Sequence, residues 1–367
     1  MSESRSGAVS QLTFKQLGVY VPDSPHILVN SRVLMLKANG QKRVAEELIH
    51  RIPSLTSVTP PSKLSSGLPG HMWEQFQLPL LAGKNPLWSP STSGPVMHSN
   101  HVVTMHDTAF IDIPQYFSKS FARWYASMTK RLARSARHIV TVSDFTKKRV
   151  VEAFGIDSRK VTTIYLGVTA AFRSRSSEDI AQVLARHRID KQPYIVGFLG
   201  TDPRKNTAGL MKAWVQSAAA AHGGKLLLFG RAANLSVFAE SDSPQEIEGV
   251  VRLGAIDDDT LATIYSGARG FVFPSFYEGF GLPVIEAAHS GCRVVTSNTS
   301  SLPEVSPSDS IFLDPSDTHA IADAIQHLFA TPDTGEAKAA RIDEMKRFSW
   351  DRAAARYAQL FAEVFSS

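Results

Sequence analysis

From Tyr194 onward, short apolar runs alternate with helical stretches. YIVGFLG, from Tyr194 to Gly200, ends in glycine and is followed by the polar loop TDPRKN and a helix predicted from about Thr207. KLLLFG, from Lys225 to Gly230, repeats the strand-then-glycine arrangement. GFVFPS, from Gly270 to Ser275, does so again and leads through a glycine-rich loop to a helix beginning near Pro283, a residue suited to a first helical turn. RVVTSN adds a further strand. Such an alternation predicts a parallel sheet covered by helices.

The first half alternates less cleanly. ILVNSRVL, HVVTM (His101 to Met105), HIVTVS (His138 to Ser143) and VTTIYLG (Val161 to Gly167) read as strands. DFTKKRVVEAF reads as a helix with Asp144 as its N-cap. Pro60 to Gly70, rich in Pro, Ser and Gly, reads as a loop, and the charged stretch from about Arg173 to Lys191 as the linker between two αβ series. At the C-terminus, Trp350, Tyr357, Leu360 and Val364 fall at helical spacing.

A chain of 367 residues exceeds what one core usually supports, which favours two domains. Its 43% hydrophobic and 20% charged residues are those of a globular protein, and no apolar stretch approaches the roughly 20 residues that span a bilayer. The polar start MSESRSGAVSQLTF lacks a signal core, and the single cysteine, Cys292, has no partner for an internal disulfide and is expected as a small buried side chain. A cytoplasmic location is the expectation.

The net charge of +5 is unevenly spread. No acid lies between Asp112 and Asp144, while Lys119, Arg123, Lys130, Arg131, Arg134 and Arg137 crowd one predicted helix with Phe121, Trp124, Tyr125, Met128 and Leu132. Such a helix either packs its apolar face on a core or lies on an anionic membrane surface.

Ligands of open parallel sheets bind at the carboxyl ends of strands, where helix N-termini present unpaired N–H groups. The richest loop there is SFYEGFGLPVIEAAHSG, in which seven residues separate Glu278 from Glu286. Gly279 and Gly281 let the backbone approach a ligand, and the following helix aims its positive end at an anion. A diphosphate flanked by hydroxylated groups suits this loop, the carboxylates accepting from the hydroxyls. In GTDPRKN, Arg204 and Lys205 can neutralise a pyrophosphate, although either could be a solvated surface cation. Arg231, after another strand-end glycine, reads equally as a nucleotide contact or a surface residue. In VVTMHDTAF, His106 follows a strand end and can donate to or accept from a hydroxyl, while Asp107 orients the loop. Asp257, Asp258 and Asp259 mimic a metal-binding D-x-D, but they precede a helical stretch whose N-terminus favours acids, and no catalytic metal is expected.

The segment from Pro274 to Gly291 resembles glycosyltransferase family 4, whose signature is E-G-F-G-L-P-x-x-E-A. The resemblance implies an α/β GT-B fold of two Rossmann-like domains facing across a cleft. Residues 1–172 would form the N-terminal acceptor domain, joined by a crossover helix over 348–367, and 190–347 the nucleotide-sugar donor domain. It implies that Glu278 contacts the donor sugar, that Phe280, Gly281 and Leu282 lie along the sugar diphosphate, that Glu286 binds ribose and that Lys205 binds phosphate, with Gly200 and Gly279 as further donor-binding candidates. His106 matches the family's histidine near the transferred sugar. Many members carry an arginine where this chain has Thr201, which makes Arg204 the substitute cation. Gly40 in KANGQKRVAEEL resembles the glycine-rich turn that opens the family's first long helix.

HMWEQFQLPLLAG together with GTDPRKN looks like bacterial mannosyltransferases of polysaccharide and O-antigen assembly. By that resemblance the enzyme retains anomeric configuration, uses no cofactor and takes a nucleotide-sugar, GDP-mannose ahead of a UDP-sugar. Its acceptor is a glycan or lipid-linked oligosaccharide, its contact with the inner membrane is peripheral, and nucleic acid is not a partner. A catalytically silent nucleotide-sugar-binding protein and a same-fold epimerase or phosphorylase are the competing readings.

Overall fold

The computed structural model describes residues 26–36, 40–189, 192–230 and 247–366. The chain divides into two compact units. One takes in the chain up to Gly167 together with Phe348–Ser367, and the other is Val168–Arg347.

The first unit is built on six parallel strands, β1 (Ile27–Asn30), β2 (Leu55–Val58), β3 (Leu87–Ser89), β4 (His101–Met105), β5 (His138–Thr141) and β6 (Val161–Thr163). Their order is β2-β1-β3-β4-β5-β6, so the winding direction reverses between β1 and β3. Helices cover the sheet, which is why its central strands read as apolar runs: all five residues of β4 are buried. Val103, Met105 and Ile139 pack there with Leu132 and Val150 from the helices. The terminal helix Trp350–Phe365 belongs to this unit. Tyr357 and Phe361 lie against Trp88, and the Tyr357 hydroxyl stands 3.0 Å from Thr104 Oγ1. Gly167 permits that return, because a Cβ there would lie 2.0 Å from the Trp350 nitrogen.

Four local expectations are corrected. ILVNSRVL is a strand only to Asn30, whose side chain accepts the Arg32 N–H (3.3 Å) and turns the chain into a 3-10 helix over Ser31–Met35. The helix Asp144–Phe154 is capped by Ser143, whose Oγ accepts the Thr146 N–H (3.0 Å). Asp144 instead accepts from Thr163 Oγ1 (2.6 Å) and the Tyr165 hydroxyl (3.2 Å). The expected loop at Pro60 to Gly70 holds a 3-10 turn, Ser62–Leu64, and the start of a helix, Gly67–Met72. That helix continues through a π-helical turn, Trp73–Gln77, into Leu78–Ala82, because Trp73 and Leu78 bury themselves with Leu87. The expected linker carries the helix Ser177–Arg186, started by a Ser176/Asp179 capping box. It packs on the helix Asp258–Gly267, and Arg175 pairs with Asp259.

The second unit repeats the plan with β7 (Tyr194–Phe198), β8 (Lys225–Phe229), β9 (Val250–Gly254), β10 (Phe271–Phe273), β11 (Val294–Ser297) and β12 (Ile311–Leu313). All neighbours are parallel, in the order β12-β11-β10-β7-β8-β9, and the winding reverses between β7 and β10. No described helix is long and apolar enough to cross a membrane.

Candidate functional site

In an open parallel sheet the crevice forms outside the carboxyl ends of the strands where winding reverses, because the connections there part to opposite faces. In the second unit those strands are β7 and β10. After β7, Gly200 is a close-approach position: a Cβ would lie 2.6 Å from the Phe198 ring. Asp202 then accepts the Arg204 N–H (3.0 Å) and starts a 3-10 turn, Pro203–Lys205. Asn206 follows in the left-handed region (φ 54) and caps the helix Thr207–Gln216 through the Gly209 N–H (3.1 Å). Two consecutive side-chain caps therefore fix where Lys205 departs from the chain.

The loop after β10 is tied to this turn by its backbone. The Phe276 N–H (2.7 Å) and Ser275 hydroxyl (3.0 Å) both donate to the Arg204 carbonyl. The result is an ion pair, with Lys205 Nζ 2.6 Å from Glu278 Oε1 and 2.8 Å from Oε2. Glu278 is buried. Arg204 takes a different direction: its guanidinium grips Asp202 through Nε (3.0 and 2.9 Å) and Nη2 (2.6 Å). Burial acts to raise the Asp202 pKa, but the hydrogen bonds and charge of Arg204 outweigh it and hold the carboxyl below its ordinary value.

A row of hydroxyls after β11 sets the shape of the glutamate loop. Ser300 Oγ accepts the Glu278 N–H (3.0 Å), and Ser301 Oγ donates to the carbonyls of Glu278 (3.0 Å) and Phe280 (2.7 Å). Thr299 donates to the Phe276 carbonyl (3.3 Å) and Ser297 to that of Ser275 (2.6 Å). Gly281, at φ 114, precedes the helix Leu282–His289, which carries Pro283 in its first turn. A side chain at Gly281 would be strained and would meet Leu302 at 3.0 Å. Gly279 and Leu282 are half-buried at the mouth of this turn, whereas Phe280 and Glu286 are buried. The chain thus gathers a lysine, a helix N-terminus and two buried carboxylates beyond the carboxyl ends of β7 and β10.

In the first unit the winding reverses at β1 and β3, and the polar groups collect just beyond them. His106, past the end of β4, is buried. Its Nε2 donates to the Pro90 carbonyl (2.7 Å), which leaves Nδ1 as the acceptor nitrogen. Its N–H donates to Thr92 Oγ1 (3.0 Å). Burial pushes the imidazole pKa down against the opposing influence of Pro90 and Asp107, so the ring is neutral near pH 7. The loop that holds His106 is anchored from behind: Gln75 donates to the Gly94 carbonyl (2.7 Å) and accepts the Val96 N–H (3.0 Å), and Ser93 Oγ donates to Glu74 Oε1 (3.0 Å). Glu74 also accepts from Asn30 (2.8 Å) and lies 2.9 Å from Arg32 Nε. Burial works against its charge, but His71, Arg32 and Asn30 outweigh burial and hold its pKa below the ordinary value.

His101, one strand-length before His106, gives a pH prediction. Burial pushes its pKa down to about 3 from an ordinary 6.5. The unfolded chain therefore binds the extra proton first, so this group's stability is complete above about pH 6.5 and is lost as the pH falls towards about 3. Between pH 7 and 5 the first unit should lose about 2 kcal/mol through this residue. Urea unfolding of the wild type and His101→Asn at both pH values checks it; equal losses in the two proteins would contradict it.

Two family models match this chain, Glycosyltransferase Family 4 over residues 71–172 and Glycosyl transferases group 1 over residues 193–331. The O-antigen chain mannosyltransferase B of Escherichia coli is 34% identical over 255 residues, which cover 68% of this chain and 67% of that protein. The chain belongs to glycosyltransferase family 4. The O-antigen chain mannosyltransferase RfbU of Salmonella typhimurium is 25% identical to this glycosyltransferase, over 64% of its chain and 62% of the relative. Among solved structures, Anabaena HepE in complex with UDP and glucose has a TM-score of 0.70 at 16% identity, covering 94% of this chain and all of the other. That likeness shows the fold: two parallel sheets, each flanked by helices, as in GT-B enzymes.

Within the glycosyltransferase, Lys205, Glu278, Gly200, Gly279, Phe280 and Gly281 stand on the two loops of the second unit, Leu282 and Glu286 on the helix that follows the second loop, and His106 on the first unit. Arg231 lies outside the described residues, and Gly40 opens the helix Gly40–Arg51 directly after three more that do. Asp257 caps the helix Asp258–Gly267 through the Thr260 N–H (2.9 Å), and Asp107 accepts the Ala109 N–H (3.1 Å). Cys292 is buried, which pushes its thiol up to about 12. The sequence reading missed Arg32, Glu74, Gln75 and the hydroxyl row Ser297–Ser301. A glutamate inside the largely apolar MWEQFQLPLL and the run TSNTSS were the available signals.

Proposed function

We propose that the enzyme transfers mannose from GDP-mannose to a lipid-linked oligosaccharide, with retention of anomeric configuration, in the assembly of a cell-surface polysaccharide. The observation that carries the reading is the Lys205–Glu278 pair at the β7/β10 switch point. An arriving pyrophosphate takes Lys205 from Glu278, and the carboxylate so released accepts from hydroxyls of the transferred sugar. The N-terminus of the helix Leu282–His289 adds partial positive charge beside the same anion. Glu286 binds the ribose, and Arg204 leaves Asp202 to supply the second cation that Thr201 cannot.

Neutral His106 is the first unit's acceptor group, its acceptor nitrogen set by the Pro90 carbonyl. Charge building on the departing diphosphate is met by Lys205, and a phosphate oxygen of the leaving group guides same-face attack. Two matched relatives are mannosyltransferases of O-antigen chains, which supports the choice of sugar and acceptor. The basic helix Lys119–Ser135 supports peripheral contact with the cytoplasmic membrane face, where a lipid-linked acceptor resides.

Donor identity is tested by thermal shift with GDP-mannose, UDP-glucose and ADP-glucose. A ligand at a hundredfold excess over its Kd stabilises by about 2.7 kcal/mol, so GDP-mannose should raise the Tm by several degrees and the others should not. A rise with UDP-glucose alone would overturn the GDP-mannose reading.

A further inference from the structure

We infer that the helical run Gly67–Ala82 is a membrane-inserting element, which with the basic helix Lys119–Ser135 forms one face for an anionic bilayer; this builds on the lipid-linked reading of the acceptor. Surface helices normally turn charge outward and apolar residues inward. Here the polarity is reversed in part. The only carboxylate of the run, Glu74, is fully buried, while Leu68, Met72, Phe76 and Leu80, each four residues on from the last, are exposed. Leu80 is 82% exposed and Phe76 66%, and neighbouring Leu81 and Met97 are exposed as well. A helical row this apolar and this open is a feature of interaction surfaces rather than of ordinary solvated helices.

The second helix identifies the occupant. His71, inside the run, packs its ring edge-on against Trp124 of the basic helix at 4.9 Å, so the two elements adjoin. Trp124 and Phe121 are themselves exposed, as are Lys119, Arg123, Lys130, Arg131 and Arg134. Neither element carries an exposed acid. Apolar side chains in line beside clustered cations, with an exposed tryptophan between them, match the layering of an anionic membrane interface: hydrocarbon below, phosphates above and an aromatic ring at the boundary. The sixteen residues, about 24 Å of helix, lie in the interface plane and do not cross it.

Sedimentation with phosphatidylcholine vesicles, plain or doped with phosphatidylglycerol, tests the assignment on the full chain. The wild type should bind the doped vesicles, with binding weakened by salt. Phe76→Ser with Leu80→Ser removes exposed groups and leaves the core intact; it should reduce vesicle binding by about tenfold or more while donor hydrolysis is unchanged. Leu80→Cys labelled with an environment-sensitive dye should shift to the blue on binding. If neutralising Arg123, Arg131 and Arg134 abolishes binding but the serine pair and the dye report nothing, the insertion element is wrong and the membrane reading stands. If the wild type ignores doped vesicles, or if the serine pair instead dissolves a dimer, the membrane face itself is refuted.

Discussion

Replacing Lys205 by alanine is expected to lower the transfer rate by about two to three orders of magnitude. The side chain is positioned by two successive caps, Asp202 and Asn206, and stands 2.6 Å from Glu278 in a half-buried setting. On the proposed role, once the arriving pyrophosphate has drawn Lys205 from Glu278, the cation is already in place when charge develops on the leaving diphosphate, which is why its loss falls on the rate. Glu278→Ala should also be severe, but for the sugar: the carboxylate that orients the hydroxyls is gone while the phosphate cation remains. Single-turnover kinetics on both variants separates the two roles. A Lys205→Ala enzyme within tenfold of wild type would be incompatible with this assignment.

Glu74→Ala should destabilise the first unit by about 3–5 kcal/mol. Glu74 is fully buried, and its partners Arg32 and Asn30 are also buried. Removing the acid leaves a guanidinium inside the protein with only Ser93 Oγ, at 3.2 Å, as a side-chain partner among the described residues. Replacing both members of the pair, Arg32→Met with Glu74→Met, should cost less than Glu74→Ala alone, since no charge is stranded. Because Ser93 and Gln75 fix the loop that supplies the Pro90 carbonyl to His106, the variant should also lose turnover. Urea unfolding followed by tryptophan fluorescence checks the order of the three proteins; a double variant less stable than Glu74→Ala would contradict the buried-charge explanation.

The sequence shows the loops after β7 and β10 clearly because strands buried on both faces appear as unbroken apolar runs, and the glycines after them mark where the backbone must turn. Lys205 and Glu278 sit just past two such runs, β7 and β10. Their pairing is a different matter: 73 residues apart, they meet only because the two strands are neighbours in the sheet. The Arg32–Glu74 pair was illegible because it joins the 3-10 helix after β1 to a distant π-helical turn, a meeting that only the tertiary fold makes. β2, β9 and β12 escaped notice because their residues are only partly buried, and β3 because its apolar run is just Leu87 and Trp88. Ser143 and Asp144 are both able to cap, and the choice was decided by Thr163 and Tyr165, which claim the aspartate. The apolar row from Leu68 to Leu80 begins inside the stretch read as a loop, and only its exposure in the fold sets it apart.

The proposed grip on pyrophosphate is tested most directly by calorimetric titration of the free nucleoside diphosphate, without its sugar, into the wild type, Lys205→Ala and Glu278→Ala. Freed from its carboxylate partner, Lys205 in Glu278→Ala should bind the nucleotide at least as tightly as the wild type does, while Lys205→Ala should bind it about tenfold or more weakly. Equal affinity in the wild type and Lys205→Ala would place the diphosphate elsewhere.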